Sequence, residues 1–443
     1  MNKDYANMLD RFLSHLENVF FISLHDAQEI ISNFHQEMRY GLAGEKSSLK
    51  MIPSFVSRPK GTEKGKFLAL DLGGTNIRVL AVELDGNGKA ALAAVSKVVI
   101  PQEMMVGTCD NLFDFIADCV LLFFKENDIG MHQGYSLAFT FSFPVAQSSI
   151  ASGKLMGWTK GFTAAGVEGE DVVALLSEAL KRKGASFIHV AALANDTVGT
   201  LMAKSYADPS CDMGIILGTG TNACYQEKIA HILKCPELGA SGEMIVNMEW
   251  GGFDQLQTNI YDNILDRASL NPGKQLLEKM VSGMYLGEIA RLVIVEMMEQ
   301  GLLFRGTSLS AFSKGYTLTT EHLAMMAQGS DFFADFALRN VTAADRQTIL
   351  EICLIVSTRS AKLAGAAIAA VVTWMDANLE SEHTIAIDGS LFEKYPGFQG
   401  CMIEILNNLF GDRSAMIKLE LAKDGSGIGA AIIGAVAAHI TLR

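Results

Sequence analysis

Residues 67–78 read FLALDLGGTNIR. An apolar run ends in Asp71, and Gly73, Gly74, Thr75, Asn76 and Arg78 follow. These residue types in this order make a tight strand–turn–strand, in which backbone N–H groups and small hydroxyls can approach phosphate oxygens. Asp71 stands where a carboxylate can organise a metal. Arg78 either adds a charge to that site or is a surface strand residue. The segment lacks the Gly-Lys-Ser/Thr ending of a P-loop, and it lacks the G-x-G-x-x-G fingerprint of dinucleotide folds. It is a phosphate-handling turn of a third kind, and the remainder of the chain has to say what the phosphate is for.

A weaker echo follows. A strand at 213–217 meets Gly218-Thr219-Gly220-Thr221-Asn222, and a second strand runs over 223–227. LGGTN at 72–76 and GTGTN at 218–222 have the same form. Two such units facing one cleft could hold the two ends of a polyphosphate. Chance recurrence of common turn residues is the competing reading, and both stay open here. Two further Gly-rich polar turns, 388–390 and 424–427, adjoin apolar elements. One such turn alone is an ordinary turn; four bearing Asp, Thr or Ser favour a nucleotide cleft.

Strand-like runs at 67–72, 77–84, 90–100, 135–143, 187–193 and 384–388 alternate with helical patterns at 4–40, 111–127, 170–183, 274–300, 345–375 and 427–440. Mixed strands and helices throughout a chain of 443 residues indicate an α/β class with two domains. Nearly half of the residues (49%) are hydrophobic, enough for sizeable cores. The net charge of −13 argues against nucleic acid or an anionic membrane as the main partner. Seven scattered cysteines without a C-x-x-C pair argue against zinc ribbons and fit a reduced cytosol. The first residues, MNKDYANMLDRFL, are unlike a signal peptide, and the apolar stretches 363–375 and 426–442 read as buried helices.

Three places could carry acceptor chemistry. Asn195-Asp196 lies at a strand-to-helix junction, where Asn and Asp are favoured caps, and capping is the better reading of the sequence alone. The functional alternative is a general base, because transfer of a phosphoryl group to an alcohol needs a carboxylate for the hydroxyl proton. Residues 139–162, FTFSFPVAQSSIASGKLMGWTKGF, form a long polar loop with Thr159 and Lys160 bracketed by Trp158 and Phe162. It is a binding loop or a lid, or an exposed turn with its aromatics tucked inward. Glu249 in NMEWGGF and Glu288 in YLGEIARLV are surface charges or polyol ligands, since sugar hydroxyls both donate and accept.

In this order the pieces resemble the hexokinase family, glucokinases included. KMIPSFV (50–56) and DLGGTNIR, then FSFPVAQSSIASGKLMGWTKGF, ANDTVGTLM (194–202), GTGTNACY (218–225), NMEWGGF, NPGKQLLEKMVSGMYLGEIARLV, IDGSLFEKYPGF and DGSGIGAAI all fall in the family's sequence. The likeness runs from about residue 10 to the end. It implies a two-domain actin-like ATPase fold with ribonuclease-H-like cores around a central sugar/ATP cleft. The small domain would be 67–193 plus 427–443, and the large domain 1–66 plus 194–426.

The resemblance also implies roles. Asp196 would be the base that takes the proton of a hexose 6-hydroxyl, with Lys160 steadying the transferred group. Ser142, Thr159, Lys160, Asn195, Asn222, Glu249 and Glu288 would bind the hexose. Asp71, Gly73, Gly74, Thr75, Asn76 and Arg78 would form the first phosphate turn, with Asp71 holding Mg²⁺ through water. Thr219 and Gly220 would form the second phosphate turn, and Gly389, Ser390 and Gly427 the adenosine end. ATP and Mg²⁺ would be the cofactors and a hexose the acceptor. The protein would be a cytoplasmic monomer or homodimer without a membrane anchor. Gly157 stands where the family commonly has Asn. A catalytically silent sugar sensor and a chaperone-like ATPase are the alternatives.

Overall fold

The computed structural model describes residues 3–130, 134–159, 161–239, 241–306, 309–338 and 341–441. Helices α1 (Lys3–Phe20) and α2 (Leu24–Ala43) open the chain, and β1 (Ile52–Pro53) follows. Ser23 and Asp26 form a capping box that starts α2. The first large sheet takes β2 (Lys64–Leu72), β3 (Asn76–Asp85), β4 (Ala90–Val99) and β5 (Tyr135–Phe141), with α3 (Gln102–Met105) and α4 (Cys109–Glu126) between the last two. A small hairpin, β6 (Val145–Ser149) and β7 (Ser152–Leu155), then α5 (Val172–Arg182), lead to β8 (Ile188–Ala194), the last strand of that sheet.

The second sheet follows α6 (Asp196–Ser205). It holds β9 (Cys211–Leu217), β10 (Thr221–Lys228) and β11 (Glu243–Asn247). A helical stretch comes next: α7 (Ile260–Ala268), α8 (Leu276–Val281), α9 (Gly283–Glu299), α10 (Thr320–Ala327) and α11 (Ala343–Met375). Then come β12 (His383–Asp388), α12 (Ser390–Lys394), α13 (Phe398–Phe410), β13 (Ile417–Leu421) and α14 (Gly425–Thr441).

The two sheets repeat one topology. The first runs β4-β3-β2-β5-β8, an antiparallel meander extended by two parallel strands. The second runs β11-β10-β9-β12-β13 in the same sense, with β1 added at its edge. The echo of LGGTN in GTGTN is therefore the repeated first hairpin of a duplicated unit. Strand β2 is central and covered on both faces, which is why Leu68–Leu72 is a continuous buried run and does not alternate. On one face, Leu70, Leu72 and Phe139 pack with Phe113, Phe123 and Leu176 of α4 and α5. On the other, Ala69 and Ala138 pack with Ala431, Ile432 and Ala435 of α14.

Between the two sheets, α6 and α14 cross with their backbones in contact. A Cβ on Gly429 would lie 1.8 Å from the Gly199 carbonyl oxygen, so nothing larger than hydrogen fits there. Their N-terminal ends, Asp196 and Gly425-Ser426, consequently approach the same place. Helix α11 is apolar and long enough to cross a membrane by length alone, yet it is buried along most of its course among α2, α9 and α13.

The structure revises several boundaries. The helix expected over 274–300 is two helices, α8 and α9, divided at Ser282. The polar loop 139–162 contains the β6–β7 hairpin, and β11, β13, α7 and α13 were not anticipated. β11 and β13 are short strands set by tertiary packing, where local preference is a weak guide, whereas α7 carries a legible start in the capping box of Asn259 and Asp262.

At the start of β12, His383 lies between Asp212 (Nδ1–Oδ2 2.6 Å) and Asp376 (Nε2–Oδ2 3.5 Å). Burial opposes a charge on the ring, but the two carboxylates outweigh it and raise the pKa above its ordinary value. The contribution to stability is complete below about pH 6.5 and is lost as pH climbs through the raised folded-state value. The urea midpoint of the protein should therefore drop as pH rises from about 6.5, and His383→Gln should flatten that slope. An unchanged slope in the variant would remove His383 from the account.

Candidate active site

Register places the first turn's charges. In the β2–β3 hairpin Asp71 sits opposite Arg78, and Gly73 N–H closes the turn on the Asn76 carbonyl at 3.0 Å. Arg78 donates to Asp71 Oδ2 from Nε (2.9 Å) and Nη2 (2.5 Å). Its Nη2 also donates to Ser426 Oγ (2.7 Å) and its Nη1 to Asp424 Oδ1 (2.6 Å). Ser426 in turn donates to Asp71 Oδ2 at 3.2 Å. The start of the last helix is thus fastened to the first phosphate turn. Thr75 holds the adjoining chain by accepting from Ile100 N–H through its carbonyl, and Asn76 donates to its hydroxyl.

This cluster carries an excess of carboxylate. Burial pushes the Asp71 carboxyl up, Arg78 opposes the rise, and Asp196 adds to it. At the end of β12, burial pushes Asp388 up to about 6; Arg78 pulls it down, while Asp196, Asp424 and Asp71 add to the rise. Carboxylates of this kind in one low-dielectric place call for a counter-cation.

The second turn is fixed from behind. Gly218 and Thr219 turn their carbonyls onto the first N–H groups of α9, Gly283 N (2.8 Å) and Met284 N (3.1 Å). That satisfies two otherwise orphaned helix donors. Beside it Gly389 has φ +133°, and a Cβ there would lie 2.2 Å from the Leu217 carbonyl. Gly389 therefore borders Gly218, with Ser390 next to it in the chain, and Thr219 is exposed and Gly220 half-buried in the turn. Gly427 packs close to Leu80 of β3, where a Cβ would lie 2.9 Å from Leu80 Cδ2.

At the strand-to-helix junction the capping residue is Asn195. Its Oδ1 accepts from Thr197 N–H (3.0 Å) and Thr197 Oγ1 (2.7 Å). The cap reading holds for Asn195 and leaves Asp196 in the first helical turn, half-buried, with Oδ1 accepting from Thr197 N–H at 3.0 Å. Asn222 Nδ2 then joins three partners: Asn195 Oδ1 (3.2 Å), Asn247 Oδ1 (2.9 Å) and Glu249 Oε1 (3.3 Å). Asn247 also donates to Glu249 Oε1 at 2.9 Å. Glu249 takes φ +54°, unusual for a residue with a side chain, and Trp250 secures it by donating from Nε1 to Thr221 Oγ1 at 2.9 Å. A narrow cavity lined by Phe141, Phe143, Gln147, Asn195 and Asn247 separates this amide–carboxylate group from the first sheet.

One expected hexose ligand is placed elsewhere. Glu288 is outside the group: Arg291 and Tyr316 N–H occupy its carboxylate. The carboxylate that does reach the second turn is Glu278, which accepts from Thr221 N–H at 3.0 Å. Asn247 and Glu278 were both within quoted motifs but not singled out. The adjacency of Asn247 to Met248-Glu249-Trp250 was the available signal, whereas a lone Glu278 on a helix offers none. Asp388, Asp424 and Ser426 were signalled only by a repeated Asp-Gly-Ser.

In the polar loop, Ser142 is buried at the end of β5, where its N–H donates to the Leu72 carbonyl at 3.2 Å. Trp158 and Phe162 do tuck inward, stacked at 5.1 Å against each other and edge-on to Phe143. Thr159 follows Trp158 and is half-buried, while Lys160 lies outside the described residues. A Cβ on Gly157 would come no closer than 3.9 Å to Glu168 Oε1, so a β-carbon at that position meets no clash.

A family model described as Hexokinase matches residues 212–436, and a second with the same description matches residues 12–206. Hexokinase-1 of Schizosaccharomyces pombe is 38% identical, covering 99% of this chain and 92% of its own length. Hexokinase-1 of Spinacia oleracea is 43% identical, covering 90% of this chain and 85% of its own. Hexokinase-3 of Rattus norvegicus is 40% identical over 95% of this chain, which spans 46% of that relative. The chain thus spans about half the length of the mammalian relatives it matches. A hexokinase from Schistosoma mansoni, solved in complex with glucose, has a TM-score of 0.87 and 37% identity, covering 97% of this chain and 99% of that one. With two matching family models and whole-length relatives in yeast and plant, this chain belongs to the hexokinase family.

Proposed function

We propose that this protein transfers the γ-phosphoryl group of ATP to the 6-hydroxyl of a hexose, giving ADP and a hexose 6-phosphate, the entry reaction of glycolysis. One observation carries the reading. Asp196 sits at the N-terminus of α6 between an amide–carboxylate group suited to hydroxyls and a Gly-turn cluster suited to phosphate.

Asn195, Asn222, Asn247, Glu249 and Glu278 supply donors and acceptors for the hydroxyls of a neutral polyol, and Thr159 of the polar loop is assigned to the same hexose. The glucose complex of the Schistosoma mansoni relative makes glucose the first hexose to test. Asp196 accepts the proton of the 6-hydroxyl as the oxygen bonds to the γ-phosphorus; the bond to the bridging oxygen breaks and ADP leaves. Positioning and charge neutralisation account for most of the rate in such transfers. The turn N–H groups not spent within the two turns would face the polyphosphate, and Arg78, held by Asp71, Asp424 and Ser426, supplies positive charge beside them.

No group of three or more acidic, His or Cys side chains among the described residues forms a metal cage. Asp71, Asp196 and Asp388 repel one another, however, and that donor set suits a hydrated Mg²⁺ that keeps its waters and uses one or two carboxylates. Asp71 and Asp388 would hold it through water, and the ion would neutralise phosphate charge. We assign 67–193 with 427–443 to one domain and 1–66 with 194–426 to the other, closing over the substrates. Seven unpaired cysteines suit a reducing cytoplasm.

A coupled assay for hexose 6-phosphate with ATP tests the reading. Turnover should need both glucose and Mg²⁺, stop with EDTA and resume when Mg²⁺ is restored. ATP hydrolysis indifferent to any hexose would overturn it.

A further inference from the structure

Glu288 and Arg291 form a buried fork. Arg291 Nη2 donates to Glu288 Oε1 at 2.6 Å and Nε to Oε2 at 2.8 Å, with both residues less than a tenth exposed. An (i, i+3) pair on a helix is usually a solvated surface pair of small consequence. This one has further bonds. Glu288 Oε2 accepts Tyr316 N–H at 2.5 Å, and Arg291 Nη1 donates to the Phe312 carbonyl at 2.6 Å. Phe312 and Tyr316 are the two ends of a turn, so one ion pair closes it. Tyr316 is held at φ +59°, a conformation that needs such support.

The chain beyond the turn stays on the same helix. Thr320 Oγ1 donates to the Gly283 carbonyl at 2.6 Å and accepts Gly287 N–H at 3.2 Å. Leu318 approaches so closely that a Cβ on Gly287 would lie 2.3 Å from its carbonyl oxygen. Residues 312–320 therefore run along the first turns of α9. That same first turn carries the second phosphate turn through Gly283 N and Met284 N. The Tyr316 ring, more than a third exposed, stands edge-on 6.4 Å from Tyr285 of that first turn.

We propose that Glu288 and Arg291 are a positioning pair for the phosphoryl donor: they hold 312–320 as a wall beside the Gly218–Gly220 turn and set nucleotide affinity, not hexose affinity. The inference rests on the kinase reading above. It differs from the hexose role that the family resemblance implies for Glu288.

The test is a pair of substrate titrations on Glu288→Gln, which keeps the shape and removes the charge. KM for ATP should rise by about tenfold or more while KM for glucose stays within about twofold. Arg291→Lys, which keeps the charge but loses the fork, should shift the same constant in the same direction. A rise in glucose KM at constant ATP KM would overturn the proposal, as would a loss confined to kcat. Hydrogen exchange on the wild-type protein decides the matter should the variants fail to fold. ADP should protect amides of 312–320, and glucose alone should not; the reverse pattern overturns the assignment. An unreactive wild type that still shows ADP-specific protection there would count against the kinase reading and leave the nucleotide wall supported.

Discussion

Asp196→Asn lowers kcat by about 10²–10⁴-fold, the range that a positioned general base contributes, while glucose binding survives. The variant removes the proton acceptor and also relieves the repulsion that Asp196 exerts on Asp71 and Asp388, so Mg²⁺ is kept saturating in the assay. The helix cap is Asn195, so α6 keeps its N-terminal hydrogen bonds when Asp196 changes. Loss of a carboxylate from the first turn costs the helix about 0.3–1 kcal/mol of dipole interaction, too little to unfold the chain. Asn195, Asn247 and Glu249 are joined through the Asn222 amide, and none of those bonds uses Asp196. Steady-state kinetics give kcat, and titration calorimetry gives glucose affinity. Near-normal turnover in the variant would end the base assignment. Lost glucose binding would mean that Asp196 is chiefly a ligand.

Gly429→Ala should be the most damaging single methyl in the molecule. Its new Cβ would sit 1.8 Å from the Gly199 oxygen and 2.4 Å from the Gly199 carbon, both backbone atoms that no rotamer change can move. Overpacking of this kind typically costs about 1–3 kcal/mol, occasionally more. The alternative to unfolding is separation of α6 from α14. That would draw Asp196 away from Ser426, Arg78 and Asp71, because each helix carries its part of the site at its N-terminal end. The expected result is a lower denaturant midpoint together with reduced kcat. A variant with wild-type midpoint and wild-type kcat would show that the crossing has room to relax without consequence.

The elements of the site were more legible than its membership. Asp71 and Arg78 could be paired from the hairpin alone, because a tight Gly-Gly turn leaves them opposite each other across two strands. Asn195-Asp196 could be placed at a helix start by cap preference, although the sequence could not say which of the two is the cap. The structure decides that: Asn195 spends its side chain on Thr197, and Asp196 lies one residue into the helix. Glu249 was noticeable because of Trp250, and the indole N–H bond to Thr221 supplies the reason. Glu278 and Glu288 were indistinguishable as helix carboxylates, yet one reaches the second glycine turn and the other is taken by Arg291.

What the sequence by itself determined is local: the two Gly/Thr turns, the strands that flank them, the capped helix start and the order of motifs that marks the family. These follow from preferences acting over a few residues. Tertiary structure decided which side chains share a buried environment. Ser426 meets Asp71 across 355 residues, and Asp388 is raised first by burial and then by Asp196, Asp424 and Asp71, which are distant in sequence. A carboxylate's chemistry depends on the dielectric around it and on the charges within a few ångströms. Neither is a property of its neighbours in sequence. The phosphate turn at 67–78 could therefore be found from twelve residues, but its counter-charges could be known only from the folded chain.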